Sequence, residues 1–472
     1  MQVDTERNVN ELDARIQAVN NRLSECITRK CVIADEVALE QFEREIRLIF
    51  NELGDLITAQ KIQQQIDTNE EFRDQCTQFA RSFKSLVNKG RVVVWVRFSG
   101  GTQLPIHATY WSRKRAAGKR GKGLYPELYF LGIHDHCSPF LVSEVAKAAT
   151  ALCSFEEARH MLETRGCPLD IKTIRRITKH FAARARAGQK AEDVVEILRS
   201  ENLQGRKIVI STDGGRLRIR RPKQGKRTRK NRSRYQTDWR EPKLLIIYVV
   251  NDTGRVDKKV LPLVDGTLKG PEALFGLLYC YLYTIDLSSV KQMLFVADGA
   301  AWIWKSVRLV RAMLKMSGLE CKIFELIDFY HAVQHLHEFA KHKGKWSAKQ
   351  RKQWVSRQKK LLKGGQAEQV IANMKAVTTG SKSKVLRREL EYFVKNKTRL
   401  SYNELSALGM PIGSGAIESA VRRIINLRLK SPCIFWNEDT AEEMLFLRAY
   451  YKSGRWGLLK KMAYCGGLRN AA

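Results

Sequence analysis

The chain lacks the features that would indicate a membrane protein or a protein of an oxidising compartment. No apolar run reaches the ~18 residues that a membrane-spanning helix needs. The first seven residues lack the basic-then-apolar pattern of a signal peptide. The ten cysteines are scattered without Cys-x-x-Cys spacing, which favours reduced, structural thiols. We therefore expect a cytoplasmic protein, associated with the nucleoid if the host is bacterial.

Acidic residues are scarce beyond the first 80 positions. The 472 residues include 84 Lys and Arg but only 49 Asp and Glu, which gives a formal charge of +35. Residues 1–80 carry a net charge of −7, and the rest of the chain carries +42. Such an excess predicts a polyanionic partner, for which nucleic acid is the natural candidate. The alternative is a basic protein whose charge serves only solubility.

Proline is absent from residues 1–104, and helix periodicity dominates there. Apolar residues recur every three or four positions in two stretches, Leu12, Ile16, Val19, Leu23, Ile27 and then Phe42, Ile46, Ile49, Leu53, Ile57. We predict a helical domain over residues 1–88. Either it packs on itself or it dimerises, since two heptads do not distinguish these outcomes.

Residues 89–145 form a second region, in which short β and basic segments are predicted. The β-branched run at 91–97 predicts a strand, and residues 113–122, rich in Arg, Lys and Gly, predict a basic loop. His134, His136 and Cys137 lie close together and could bind zinc. No second ligand pair accompanies them at a useful spacing.

Residues 146–200 have the outline of a helix-turn-helix. Ser154 with Glu157 predicts a capped helix, and a Gly-Cys-Pro turn separates it from a second helix that begins after Asp170. Arg175 and Arg176 on this second helix are candidate DNA contacts. Many helical hairpins have the same outline without binding DNA. A linker and a short helix are predicted over 187–200.

From residue 205 the pattern changes to a mixed α/β sheet. Strands are predicted at 206–212, 244–250, 258–264, 292–297 and 321–327, with helices at 271–285 and 302–317. We assign 205–335 to the first part of a catalytic core. Residues 336–409 are rich in Lys, Arg and Gln without strand signals, and are predicted to be a helical insertion. Residues 410–472 would complete the core.

Three acidic residues stand at the edges of apolar elements in this core. Asp213 and Asp298 each follow a short apolar run, and ligands bind at such strand ends in open α/β sheets. Glu418 follows Gly413 and Gly415, which permit a tight turn into a helix whose apolar face begins at Ile417. The dipole at that helix start favours an ionised carboxylate, the ligand type that Mg²⁺ prefers. Each residue alone could instead be an ordinary turn or cap residue.

Two basic stretches and one basic pair are candidate DNA surfaces. Residues 216–234 contain eleven Lys and Arg and no acid, and are predicted to form a hairpin tip. Residues 341–363 contain ten Lys and Arg and no acid, with Trp346 and Trp354 interleaved. The alternative for the second stretch is a solvated helix face with its tryptophans in the core. The candidate DNA contacts here are Lys226, Arg227, Arg229, Lys230, Lys345, Trp346, Arg351, Lys352, Arg422 and Arg423.

Ordered short motifs then give a resemblance to a known family. They are Thr212-Asp-Gly214, Val296-Ala-Asp-Gly-Ala-Ala-Trp-Ile-Trp304, Asp328-Phe-Tyr-His331, Pro411-Ile-Gly-Ser-Gly-Ala-Ile-Glu-Ser419, Arg428-Leu-Lys430 and Ser453-Gly-Arg-Trp456, with Ser154-Phe-Glu-Glu-Ala158 upstream. In this order the chain resembles the DDE transposases of bacterial insertion sequences, most closely the ISKra-type group. The resemblance covers about residues 205–456.

The resemblance implies an RNase H-like core with a helical insertion, in which Asp213, Asp298 and Glu418 bind two Mg²⁺ or Mn²⁺ ions. It implies that Asp328 and His331 lie near the site and position a nucleotide or strand. His331 and His335, four residues apart, could instead form a zinc pair. The implied partners are double-stranded transposon ends and target DNA, bound by a homodimer or larger assembly.

Two departures from the family and two rival functions accompany this expectation. Residues 431–436 differ from the family's usual stretch, and the region near 123–139 lacks the cysteine pairs of many relatives. The expected activity is metal-dependent cleavage at the transposon ends and transfer of the 3′-hydroxyl into target DNA. The rivals are a silent, transposase-derived DNA-binding regulator and a structure-specific nuclease with the same core. An RNA-binding protein is a weaker third.

Overall fold

The computed structural model describes residues 2–30, 33–113, 123–189, 203–229, 231–318, 321–430 and 434–467. The chain divides into two compact units, Met1–Gln189 with Trp456–Ala472, and Lys190–Arg455. Most of the predicted basic loop, all but the first residues of the predicted segment at 187–200, and Lys230 lie outside the described residues.

The first unit begins with a helical hairpin made of α1 (Gln2–Thr28) and α2 (Glu36–Thr68), followed by α3 (Glu70–Ser82). The predicted apolar stripes supply its core, because Leu12 and Val19 of α1 are buried in one cluster with Ile49 and Leu56 of α2. The stripe is therefore used within the chain, as expected for a domain that packs on itself. Ile27, at its end, is 72% exposed. Dimerisation stays a prediction.

A two-stranded hairpin of β1 (Leu86–Arg97) and β2 (Gln103–Arg113) packs on these helices. The predicted strand at 91–97 is confirmed, whereas its partner was missed. A buried carboxylate secures the turn: Asp55 of α2 accepts hydrogen bonds from the backbone N–H groups of Gly100 (2.9 Å) and Thr102 (3.0 Å). Burial raises the pKa of Asp55 despite these two bonds.

The remaining helices of this unit are α4 (Pro126–Phe130), α5 (Pro139–Ala151), α6 (Phe155–Thr164), α7 (Ile171–Gly188) and α17 (Trp456–Gly467). The predicted cap at Ser154 is confirmed, since Glu157 N–H donates to Ser154 Oγ at 2.9 Å. Asp170 also caps its helix, because Lys172 N–H donates to Asp170 Oδ1 at 2.8 Å. Helix α17 packs on α7, where Trp456 stacks on Phe181 with ring centroids 5.5 Å apart. The last helix thus belongs to the first unit rather than to the segment 410–472.

In the second unit the described residues form a mixed five-stranded sheet in the order β7-β6-β3-β8-β9. Its strands are β3 (Lys207–Gly214), β6 (Lys243–Val250), β7 (Leu263–Thr267), β8 (Gln292–Ala297) and β9 (Lys322–Ile327). Strand β6 is antiparallel to β3 and β7, while β8 is parallel to both β3 and β9. The mixed α/β prediction is confirmed. The third predicted strand, at 258–264, is displaced to Leu263–Thr267.

Helices α8 (Pro271–Thr284) and α9 (Ala301–Met316) match their predicted positions closely. A helical segment follows β9, made of α10 (Phe329–Lys341), α11 (Ala348–Lys363), α12 (Ala367–Thr378), α13 (Lys384–Lys395) and α14 (Tyr402–Ala407). It begins at Phe329, directly after β9, rather than at 336. Helices α15 (Gly415–Val421) and α16 (Glu438–Lys452) complete the unit.

A separate hairpin of β4 (Leu217–Pro222) and β5 (Tyr235–Arg240) projects from the chain between β3 and β6. It contains the predicted basic hairpin tip, so that prediction of local structure is confirmed. Among the described residues, no helix combines the length and apolarity needed to cross a membrane.

Candidate active site at the carboxylate edge of the sheet

Strand register places three aspartates in one row. Ile210 of β3 lies opposite Phe295 of β8, and Ala297 of β8 lies opposite Ile327 of β9. Continuing these parallel registers aligns Asp213, Asp298 and Asp328 at the carboxyl ends of three adjacent strands. We call this row, together with Glu418 and His331, the carboxylate edge. Neighbouring strands are about 4.8 Å apart, so the backbones in the row are close.

The pKa of Asp213 is affected by the other charges of the carboxylate edge. Burial raises its pKa above the ordinary value, and the negative charges of Asp298 and Glu418 raise it further. A hydrogen bond from Gly214 N–H at 2.6 Å and the proximity of His331 act in the opposite direction. The two predicted aspartates, the predicted glutamate and His331 therefore lie within electrostatic range of one another.

Asp298 begins the turn between β8 and α9. Its Oδ1 accepts a hydrogen bond from Ala300 N–H at 2.9 Å, and its backbone carbonyl accepts one from the Trp304 indole at 2.8 Å. Gly299 is needed here because a Cβ would come within 2.2 Å of the Tyr392 ring. Tyr392 belongs to α13, so the helical segment covers the turn that presents Asp298.

Asp328 is fully buried and its oxygens are engaged. Oδ1 caps α10 by accepting from His331 N–H at 2.8 Å, and Oδ2 accepts from both the N–H and the hydroxyl of Ser414. Its own N–H donates to Ala297 O at 2.8 Å. Asp328 therefore ties the ends of β8 and β9 to the turn that precedes α15, and its predicted position near the site is matched by a positioning role.

Glu418 lies in the first turn of α15, as predicted, and this helix contacts β3 and β6. The apolar face expected from Ile417 onward is buried. The Glu418 side chain is about half exposed, and its Oε1 lies 3.6 Å from Nε2 of His331. Gly413 permits the preceding turn to approach α10, because a Cβ there would lie 2.7 Å from the Tyr330 ring.

The chain after α15 changes to a π-helical turn at Arg422–Asn426. The guanidinium of Arg448, only 2% exposed, donates to the carbonyls of Ile424 (2.8 Å) and Arg423 and so supports this turn. Arg422 and Arg423 are exposed one turn beyond Glu418, where the sequence predicted phosphate contacts. The π turn and the role of Arg448 left no periodic signal in the sequence.

The donor chemistry of the carboxylate edge fits a hard divalent cation, since Asp213, Asp298 and Glu418 offer carboxylate oxygens. Burial, and to a lesser extent the charges of Asp298 and Glu418, raise the pKa of Asp213, and a bound cation would offset both effects. Within the described residues, however, no three His, Cys, Asp or Glu side chains converge closely enough to hold an ion. Glu418 contacts His331 instead, with its Oε1 at 3.6 Å from Nε2.

The alternative zinc pair of His331 and His335 divides between different partners. His331 faces Glu418, whereas His335 Nδ1 lies 2.5 Å from Oε2 of the buried Glu389. The His335 ring also stacks on Tyr392, with centroids 3.7 Å apart. Among the titratable residues that the structure describes, neither this pair nor the His134 cluster has the ligands for a metal site.

The predicted DNA contacts occupy several surfaces. Lys226, Arg227 and Arg229 are exposed near the tip of the β4–β5 hairpin, and Lys345 and Lys352 are exposed at α11. Trp346 instead packs on Trp354 (5.4 Å), which stacks on Phe339 (5.2 Å). Both tryptophans are partly buried, and these ring contacts favour the packing alternative, while DNA contact by Trp346 stays a prediction. Arg351 is partly buried beside them.

In the first unit, Arg175 lies 5.3 Å from the Phe155 ring centroid, and Arg176 lies 3.4 Å from Asp135. Both side chains remain exposed. Neither contact tests DNA binding, which remains a prediction for the helix-turn-helix-like region.

Sequence reasoning missed Ser414 and Tyr392. Ser414 stands between two glycines in a motif that was recognised for Glu418, so a signal existed, whereas Tyr392 gave none. Burial and the charges of Asp298, Asp328 and Glu389 raise the pKa of Tyr392, and its hydroxyl has no hydrogen-bond partner among the described residues.

Comparisons with protein-family models, with curated proteins and with solved structures each found no match.

Proposed function

We propose that this protein is a DDE transposase with an RNase H-like core, which cleaves DNA at the ends of a mobile element and transfers the 3′-hydroxyl into target DNA. The observation that carries the proposal is the carboxylate edge. Asp213 lies near the end of β3 and Asp298 directly follows the adjacent parallel strand β8, and the register aligns the two. The charges of Asp298 and Glu418 contribute to the raised pKa of Asp213. Three separated sequence motifs thus supply charges to one place.

The sheet supports the RNase H-like assignment. Numbered in chain order, its strands lie side by side as third, second, first, fourth and fifth. The second strand is antiparallel to its two neighbours, and the other four strands run in one direction. This order puts the first and fourth strands side by side, and the two aspartates come from those strands. The motifs that resemble the transposase family lie along the same elements.

The residues would divide the work as follows. Asp213, Asp298 and Glu418 would hold divalent ions, which when bound activate a nucleophile and stabilise the leaving oxygen of an in-line displacement. Asp328 would keep the turn before Glu418 in place through Ser414. His331, whose Nε2 lies 3.6 Å from Glu418 Oε1, would position the Glu418 side chain. The exposed cations at the hairpin tip would bind the phosphate backbone.

The experiment is a cleavage and strand-transfer assay on DNA that carries the element's ends, with Mg²⁺. We expect Asp213→Asn to lower the rate by at least about a hundredfold while DNA binding persists, because a direct metal ligand should matter at least as much as a ligand's supporting group. Asp252→Asn is the matched control, since Asp252 is an exposed aspartate away from the carboxylate edge.

The products distinguish the rival functions. Covalent joining of the element's ends to target DNA supports the transposase, whereas cutting without joining identifies a nuclease. Binding without either reaction in the wild type identifies a regulator. The observation that favours this last rival is the lack of three converging ligands among the described residues.

A further inference from the structure

The outer face of the β4–β5 hairpin is built differently from the rest of the basic surface. Trp436 forms a β-bridge along the free edge of β4, because its N–H donates to Arg218 O at 2.9 Å and its carbonyl accepts from Arg220 N–H at 2.7 Å. Strand β4 is therefore flanked by β5 on one side and by residues 435–436 on the other.

Side chains alternate between the two faces of this small sheet. On the inner face, Leu217 and Ile219 are buried, and Arg221 pairs with Asp238 at 2.7 Å. The outer face presents five side chains that we call the stacking face, namely Arg218, Arg220, Tyr235, Trp239 and Phe435. The acidic residue of the hairpin strands thus lies on the inner face, and the stacking face contains none.

Arginines and aromatic rings alternate across the stacking face. The Arg218 guanidinium carbon lies 4.6 Å from the Phe435 ring centroid and 5.8 Å from that of Trp239. The Arg220 guanidinium carbon lies 4.6 Å from the Tyr235 centroid and 5.5 Å from that of Phe435. The guanidinium groups and rings therefore form one continuous row held by cation–π contacts, in which the Tyr235 and Phe435 rings are tilted by 58° to each other.

Large parts of this surface face solvent. Trp239 is 55% exposed and Tyr235 is 43% exposed, although both rings already contact arginines. The Tyr235–Phe435 contact, with ring centroids 5.8 Å apart, leaves this ring area uncovered, and the buried apolar side chains Leu217 and Ile219 lie on the opposite face. Exposed aromatic groups grouped in this way indicate a binding surface rather than isolated surface residues.

The tip of the hairpin supplies the complementary charge. Residues 223–234 contain no acidic residue, and Lys223, Lys226, Arg227, Arg229, Arg232 and Arg234 are exposed there. A ligand that spans the stacking face and the tip must combine flat rings with regularly spaced negative charges. Single-stranded nucleic acid has both properties, since each base offers a free ring face and each phosphate a charge.

Duplex DNA fits this surface less well. Its bases are stacked on each other, so Trp239 and Tyr235 could reach ring faces only after the strands separate. The duplex would use the cations of the tip alone. We propose that the stacking face binds single-stranded DNA through base stacking, a specificity that refines the DNA binding of the proposed function but requires neither metal ions nor catalysis.

The test measures binding of the full chain to a fluorescein-labelled oligo-dT and to a duplex of equal length, in EDTA, by fluorescence anisotropy. We expect Trp239→Ala to weaken oligo-dT binding about tenfold to a hundredfold, as loss of a stacked base does, and to change duplex binding less than about twofold. Trp239→Phe, which keeps a ring, should stay within about threefold of the wild type.

Two further variants make the test independent of any single substitution. Tyr235→Ala should reproduce the selective loss of oligo-dT affinity. Lys226→Ala should weaken the binding of both oligo-dT and the duplex and should reduce its salt dependence. Far-UV circular dichroism and the melting temperature check that each variant is folded.

Equal losses for both ligands, or no loss in Trp239→Ala and Tyr235→Ala, would overturn the proposal. An oligo-rU that binds tighter than oligo-dT, with the same loss in the variants, would replace DNA by RNA as the ligand. The binding assay contains no metal, so the two proposals can fail separately. A wild type without cleavage or strand transfer would refute the proposed catalysis, while a selective loss of oligo-dT affinity in the variants would still support single-strand binding by the stacking face.

Discussion

The carboxylate edge and the stacking face lie on either side of a short stretch of chain, since Asp213 ends β3 and Arg218 belongs to β4. The first is partly buried, acidic and held by contacts between residues far apart in sequence. The second is exposed, basic and held largely by strand neighbours, with Phe435 as the distant contribution. The contrast teaches that substitutions at the edge should change the stability of the fold in either direction, whereas substitutions at the face should change binding far more than stability.

Asp328→Ala should give the largest loss of stability and therefore tests this contrast most strongly. The substitution leaves the N–H of His331 and the N–H and hydroxyl of the buried Ser414 without their acceptor. We expect the free energy of unfolding to fall by about 3 kcal/mol, because each unsatisfied buried donor costs about 1–3 kcal/mol. Chemical denaturation measures the change, with Asp252→Ala as the control. A loss no larger than the control's would show that Asp328 does not hold the edge.

Gly413→Ala should destabilise the protein less than Asp328→Ala does, and a second substitution at Tyr330 should restore the lost stability. The new methyl group would meet the Tyr330 ring at 2.7 Å, so we expect a loss of about 1 kcal/mol, in the range of mild overpacking. Tyr330 is largely exposed, so Tyr330→Ala should cost little and should restore the stability of the double variant. Denaturation of the two single variants and the double variant tests this coupling. Additive losses would mean that the ring is not what excludes the methyl group.

Asp213→Asn should stabilise the metal-free protein at neutral pH. A carboxyl whose pKa is raised on folding favours the folded state below its unfolded pKa of about 3.8 and loses that contribution as the pH rises through the folded pKa. Asparagine stays uncharged throughout, so its advantage should appear above the folded pKa and vanish in acid. Melting temperatures between pH 3 and pH 8 in EDTA measure it. Mg²⁺ should then raise the melting temperature of the wild type more than that of the variant.

The smallest expected change in stability is that of Trp239→Ala on the stacking face. A cross-strand pair such as Arg218 with Trp239 contributes about 0.2–1 kcal/mol, so unfolding should change by less than about 1 kcal/mol. The same variant should show the selective loss of single-strand affinity. A destabilisation as large as that of Asp328→Ala would remove the distinction between the two regions.

Local sequence patterns predicted much of this architecture. The strand at 292–297 and the helix after Asp170 were located closely because a continuous apolar run and a capped, periodic helix are local signals. The strand Leu263–Thr267 was misplaced because its end carries polar residues that packing alone accommodates. Asp265 there is fully buried and accepts a hydrogen bond from the Tyr281 hydroxyl at 2.5 Å. Such a partner cannot be identified from neighbouring residues.

The candidate site was predictable only in part for the same reason. The sequence placed Asp213 and Asp298 at strand ends and Glu418 at the start of a helix, and these positions are observed. Only the family resemblance separated them from Asp328, which also follows a strand. It did not indicate that the Asp328 carboxylate accepts hydrogen bonds from Ser414 and caps α10. The sequence also left open whether the tryptophans near α11 face DNA or pack inside the protein, where Trp354 stacks on Phe339 and Trp346 contacts Trp354.

The sequence by itself determined which residues end strands, begin helices and carry the positive charge, because periodicity, caps and composition act over a few neighbouring positions. Only the tertiary structure decided that three aspartates share one row and that the oxygens of one of them, Asp328, accept hydrogen bonds from His331 and Ser414. It also decided that arginines and rings from separate segments form one surface. Those outcomes depend on strand register and on packing between distant segments, for which neighbouring residues contain no physical signal.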